Sequence, residues 1–232
     1  MLRHGTRPLP PWYVRWWRAV LANPSAVLLA VQLVSVILYP FTSDRGPGRV
    51  GLALLGLLVL VLALRAVRRT PTLTWVAVLV GGPAALLTLA QVVWPDSAAI
   101  ELATMLVSSA FYFYVVVSLL VYMFADNWVT SDELWATGAT FTVAVWAFAY
   151  TYGAVQIIWP GSFSAPHGEQ LAWFELIFLS FTTMTGTGLS DIAPAGAHAR
   201  SVIVLEEMAG MNYVALVVAR LMGLTLTKFR NR

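Results

Sequence analysis

Six apolar runs lie along this sequence at roughly 25–41, 50–67, 72–94, 99–125, 133–159 and 199–226, parted by short polar breaks. About twenty helical residues, rising 1.5 Å each, cover the ~30 Å of hydrocarbon in a bilayer. The breaks at Ser43-Asp44-Arg45-Gly46-Pro47-Gly48, Arg68-Arg69-Thr70-Pro71, Trp94-Pro95-Asp96-Ser97 and Asp126-Asn127 mix polar residues with Gly, Pro or Asn. Such mixtures punctuate helices. Charged residues make up only 11% of the chain against 59% apolar, where a soluble domain carries about 25% charged. The predicted fold class is therefore an all-α membrane protein with six transmembrane helices per subunit. With no cysteine, disulfides and thiolate metal sites are excluded.

One further apolar stretch fits no span. Leu171-Ala172-Trp173-Phe174-Glu175-Leu176-Ile177-Phe178-Leu179-Ser180-Phe181-Thr182-Thr183-Met184-Thr185-Gly186-Thr187-Gly188-Leu189-Ser190-Asp191-Ile192-Ala193-Pro194 is too short and glycine-broken to cross a bilayer, and too apolar for a free loop. It suits a re-entrant segment, with a half-helix over about Gln170 to Met184 and an extended return. Bare backbone at membrane depth survives only where protein covers it or it lines a wet pathway. The second alternative makes the stretch an ion-conduction element.

These residues resemble the pore loop of bacterial tetrameric potassium channels. That family's string is close to S-F-x-T-x-T-T-x-G-Y-G-D-I-x-P, and Ser180 to Pro194 aligns with it without a gap. Ser180, Phe181, Thr183, Thr185, Gly188, Asp191, Ile192 and Pro194 match. Ala199-Arg200-Ser201, Val204-Leu205-Glu206, Gly210 and Val218-Ala219-Arg220-Leu221 resemble the inner helix of such channels. The likeness covers about the last hundred residues. It implies a pore domain over 126–232, with outer helix, pore helix, filter and inner helix. It also implies filter residues Thr185, Gly186, Thr187, Gly188, Leu189, Ser190 and Asp191, with potassium or sodium ions as the only bound species. Four copies of Asp191 would gather cations at the outer mouth. One pore loop per chain supplies one wall, so a homotetramer follows from geometry as well.

The filter departs from the family string. Gly186 stands where a Thr hydroxyl lines the innermost site, Thr187 replaces an apolar residue, Leu189 replaces the bracing Tyr, and Ser190 replaces a glycine. A left-handed conformation costs a non-glycine residue roughly 1 kcal/mol or more. At Ser190 the backbone must either store strain or bend differently. Each departure loosens or removes an oxygen ring. The expectation is weak discrimination of potassium from sodium, or little conduction.

Arginine placement sets the orientation. Arg3, Arg7, Arg15 and Arg18 precede the first span, Arg65, Arg68 and Arg69 follow the second, and Arg220, Lys228, Arg230 and Arg232 end the chain. The loop before span four has none. Both termini are thus expected in the cytoplasm and the pore loop outside, in a multi-pass cell-membrane protein. The acidic connector Asp126, Asp132, Glu133 opposes this, but acidic residues count little in the rule. The net charge of +3 reads as topology and not as a nucleic-acid footprint. The N-terminal residues lack a signal-peptide layout. Over 1–24, Trp12, Tyr13, Trp16 and Trp17 alternate with Arg15 and Arg18, as in an interfacial anchor helix. No nucleotide- or ion-sensing domain is expected after the last span.

Residues 25–125 form a four-span domain, expected to pack around the pore. Between Ile100 and Phe124 there is no Lys or Arg, and the one charge is Glu101. Voltage sensors carry arginines there, so voltage gating through this helix is excluded. The run Phe111-Tyr112-Phe113-Tyr114 is read as helix packing or lipid contact. Glu206 and Glu207 are intramembrane carboxylates, functional candidates by default. They either support or tune the filter, or make a structural hydrogen bond. Gly210, mid-helix, is either a gating hinge or a site of close contact.

The expected function is a passive cation channel and not an enzyme. The histidines are His4, His167 and His198, and neither HExxH nor GxSxG occurs. A metal site of His167, His198 and Glu169 is poorly specified, so no resident metal is predicted. The alternative is a non-conducting sensor or scaffold that keeps the channel fold.

Overall fold

The computed structural model describes residues 23–41, 47–67, 72, 74–125, 131–164 and 170–230. The interfacial helix expected within 1–22, together with His4, Asp126, Asn127, His167 and Glu169, lies outside the described residues. The elements are α1 (Pro24–Leu38) with a 3-10 turn (Tyr39–Phe41), α2 (Pro47–Val67), α3 (Thr74–Val93), α4 (Ala98–Met123) and α5 (Ser131–Ile158). There follow β1 (Phe163–Ser164), a short α6 (Trp173–Met184), β2 (Ala193–Pro194) and α7 (Ala197–Arg230).

Each long helix falls on one of the apolar runs, within a few residues. Five of them are long and apolar enough to cross a membrane: Pro24–Phe41, Trp75–Val93, Ala98–Met123, Asp132–Ile158 and Ala197–Arg220. In α2 the apolar stretch is the shorter Ala53–Val67. The protein is a multi-pass, all-helical membrane protein. Helix ends follow local chemistry. Pro24 opens α1, where its missing N–H costs nothing. Ser97 caps α4, its hydroxyl accepting from the Ile100 N–H.

The hub is α5, which packs on α1, α4, α6 and α7. Its buried face is rich in alanine, with Ala136, Ala139, Ala147 and Ala149 fully enclosed. Lipid supplies no hydrophobic drive between helices, so small residues that permit close approach, and polar contacts, decide the packing. A Cβ added at Gly138 would lie 2.8 Å from Leu29 Cδ2, and one at Gly153 would lie 2.7 Å from Met105 Sδ. Two polar ties join α1 to α5. Thr142 donates to Gln32 Oε1 at 2.7 Å. The Asp132 carboxylate accepts from Ser25 N and Oγ at 3.1 and 3.0 Å. The run Phe111 to Tyr114 packs helices, as expected. Phe111 and Tyr112 are buried, Tyr112 stacks on Tyr150, and Phe113 meets Phe148 edge to face.

Helix α7 is the exception to this burial. One stripe, with Glu206, Gly210 and Tyr213, faces the rest of the chain. On other faces Leu205, Met208 and Met211 are 61%, 57% and 78% exposed.

Candidate functional site

The short helix α6 is held between α5 and α7 at three levels. At its start, Gln156 of α5 grips the backbone of Leu171 from both sides, Oε1 accepting from N at 2.9 Å and Nε2 donating to O at 3.1 Å. The Glu175 carboxylate accepts from Ala172 N at 2.6 Å, which satisfies one of the free N–H groups at the helix start. The observed helix begins at Trp173, three residues after the expected Gln170, and ends at Met184 as expected.

At mid-height lies Glu206 of α7, with no exposed surface at all. Its two oxygens accept hydrogen bonds from Tyr152 of α5 and Ser180 of α6. Ser180 also lies 2.9 Å from Val145 O of α5. A single carboxyl group thus joins all three helices. Its neighbour Glu207 points the other way and is exposed.

At the far end, Met184 packs on Gly210, where an added Cβ would sit 2.1 Å from Met184 O. Gly210 is thus a site of close contact in this structure. One turn on, Tyr213 donates to Thr137 O at 2.5 Å.

The chain then leaves α6 through a glycine cap. Gly186 is left-handed, at φ 67°. Its N–H donates to Thr183 O at 3.0 Å, and Thr187 N–H donates to Thr182 O at 3.0 Å. This is the paired bonding of a Schellman motif, which ends a helix at a left-handed residue. Thr185 adds a bond from its N–H at 3.1 Å and one from its hydroxyl at 2.7 Å, both to Phe181 O. The carbonyls of Phe181, Thr182 and Thr183 are thus occupied by the chain's own donors. Residue 186 carries this arrangement, since a threonine there would resist the left-handed turn.

Gly188 is the second left-handed residue, at φ 63°, and among the described residues no non-glycine has positive φ. Of the two possibilities at Ser190, the backbone bends differently, and the hydroxyl accepts from Ile192 N at 3.1 Å. Residues 185–189 and Asp191 are all exposed, Leu189 by 75%. The return is anchored by β2, which pairs antiparallel with β1 (Phe163 with Pro194, Ser164 with Ala193).

At the other end of α7, Arg220 is 3.2 Å from Glu133 of α5, with both side chains largely buried. The Arg220 guanidinium also lies 5.2 Å from the Phe124 ring centroid, just past the end of α4. His198 stacks on Trp159 at 3.9 Å. Among the described residues no cluster of three metal-ligating side chains occurs.

The structure therefore brings Glu206 and Gly210 against α6 and leaves residues 185–191 on an open face. It does not bring Glu207 to them. Sequence reasoning passed over Tyr152 and Gln156, and it named Glu133 and Arg220 without pairing them. Their signal was present, since polar groups inside apolar runs need partners, but the partners lie on other helices.

Long apolar helices packed around a short helix and its extended return define the class: a multi-pass membrane protein. The family model described as "Ion channel" matches residues 140–226, from within α5 to within α7. No curated protein and no solved structure matches the chain.

Proposed function

We infer that the protein is a passive cation channel, built as a homotetramer in which α6 is a re-entrant pore helix and residues 185–191 are the filter. The observation that carries this is the open face. The glycine-containing stretch Thr185 to Leu189, which follows α6, is exposed in the single chain, as is much of α7 beside it. The fit of residues 140–226 to an ion-channel family model supports the same reading. Fourfold assembly would place filter and inner helix on a central axis and cover the apolar flank with the neighbouring subunit. Counting α2 as a span gives six crossings, cytoplasmic termini and a filter near the outer surface.

Selectivity on this reading is poor. A filter needs several rings of oxygens, and the glycine cap turns the first residues back onto the pore helix. The same cap favours a second reading, a non-conducting sensor or scaffold. Purified protein in liposomes separates the two. A cation channel gives dissipation of a potassium or sodium gradient that scales with protein, from particles whose native mass is that of four chains. A tetramer without flux establishes the scaffold, and a monomer removes both the axis and the channel.

A further inference from the structure

Between the four-span domain and the start of α6 lies a cavity of about 400 Å³. It runs beside α4 from Glu101 to Tyr112, a depth of about 16 Å at 1.5 Å per residue. One end is polar. Glu101 is half-buried there, and among the described residues no donor meets its carboxylate. Among the described residues no Lys, Arg or His lines the walls. Three hydroxyls of the same lining have already committed their protons to their own helices: Ser35 to Val31 O at 2.8 Å, Thr88 to Ala84 O at 2.8 Å and Thr104 to Ile100 O at 2.7 Å. Each can offer a ligand only lone pairs. Among the described lining residues Glu101 is thus the one charged group and these hydroxyls are acceptors, while the Gln91 amide can donate as well as accept. The deeper walls are apolar and aromatic, including Tyr112 and Trp146. The Tyr39 ring, stacked on Phe174 at 4.8 Å, lies along one side.

We propose that this cavity binds an amphiphile by its primary ammonium group and by one unbranched apolar tail laid in the groove. The ammonium brings N–H donors and positive charge to Glu101 and the hydroxyl lone pairs, and the tail fills the groove toward Tyr112 and Trp146. Anionic heads are rejected by Glu101. An aminolipid of the bilayer and a free lipophilic amine share this chemistry. Because Trp173 and Phe174 of α6 form part of the wall, an occupant touches the helix that carries the proposed filter. That consequence rests on the channel reading, whereas binding itself does not.

The test is calorimetric titration of the purified full-length protein, in non-ionic detergent, with decylamine at neutral pH and with decanol as the neutral analogue. Decylamine is expected to bind at least about tenfold tighter than decanol, and Glu101→Gln to remove that advantage. Equal binding of the two in the parent protein overturns the proposal, as does an unchanged decylamine affinity in a folded Glu101→Gln variant. Native mass measurement after release from nanodiscs containing phosphatidylethanolamine or phosphatidylglycerol distinguishes the source. Selective retention of phosphatidylethanolamine assigns the site to lipid. Decylamine binding without such retention assigns it to a free amine. No readout uses flux, so the site and the channel reading fail separately.

Discussion

Gly210 and Met184 are in backbone contact: a β-carbon at position 210 would lie 2.1 Å from the Met184 carbonyl oxygen. Neither partner can yield without moving a helix, because one is backbone of α7 and the other ends α6. Gly210→Ala is expected to destabilise the protein by about 1–3 kcal/mol or more, as overpacking does. The check is thermal unfolding in detergent together with flux. Full stability in the alanine variant would remove the contact reading and leave the hinge alone.

Glu206 is the junction of three helices, and Glu207 is exposed beside it. Glu206→Ala leaves the Tyr152 hydroxyl without this acceptor, while Ser180 keeps Val145 O at 2.9 Å. A buried hydroxyl so orphaned costs about 1–3 kcal/mol. Glu206→Gln keeps the volume and one carbonyl acceptor, so its loss should be smaller. Glu207→Gln should leave unfolding of the subunit unchanged. The order Ala, then Gln, then the 207 variant in melting temperature is the measurement. Equal values for all three would show that the junction contributes nothing.

Arg220 and Glu133 form a largely buried pair at 3.2 Å. Removing one partner of such a pair leaves an uncompensated charge, at about 3–5 kcal/mol for full burial and less here. Arg220→Gln and Glu133→Gln should each destabilise, and the double variant should lose less than the two added together. A double-mutant cycle reads this coupling. Strict additivity would mean that α5 and α7 are not joined through this pair.

Voltage dependence should be weak. One elementary charge crossing the field supplies about 2.3 kcal/mol per 100 mV, and α4 holds no Lys or Arg to supply it. Conductance between −100 and +100 mV, measured in planar bilayers, should change little. A steep sigmoid would locate gating charge elsewhere in the chain.

The filter string sets the last expectation. In the parent protein the reversal potential under opposed potassium and sodium gradients should stay near zero. Gly186→Thr, Thr187→Val, Leu189→Tyr and Ser190→Gly together remove the left-handed cap at 186 and restore glycine at 190. Potassium preference should then rise at least about tenfold, or ~1.4 kcal/mol. A parent reversal potential already at the potassium value would show that the capped backbone still forms a selective pore.

The membrane class, the positions of the long helices and the end of the short one at Met184 were legible in the sequence. Each rests on local chemistry: apolar run length, turn residues and the start of a glycine-rich string. Glu206 was legible as a costly charge, and Gly210 as a costly glycine, but not their partners. Tyr152, Ser180 and Met184 are 54, 26 and 26 positions away in sequence, and only packing chooses among helices that are all equally apolar. The filter shows the same division. The sequence presented a left-handed penalty at Ser190 and two neighbouring glycines. The tertiary structure put the left-handed turns at Gly186 and Gly188 and closed the cap onto Thr182 and Thr183. A backbone torsion is decided jointly by the residue that tolerates it and by the carbonyls within its reach, and the second term exists only once the helix has stopped against Gly210.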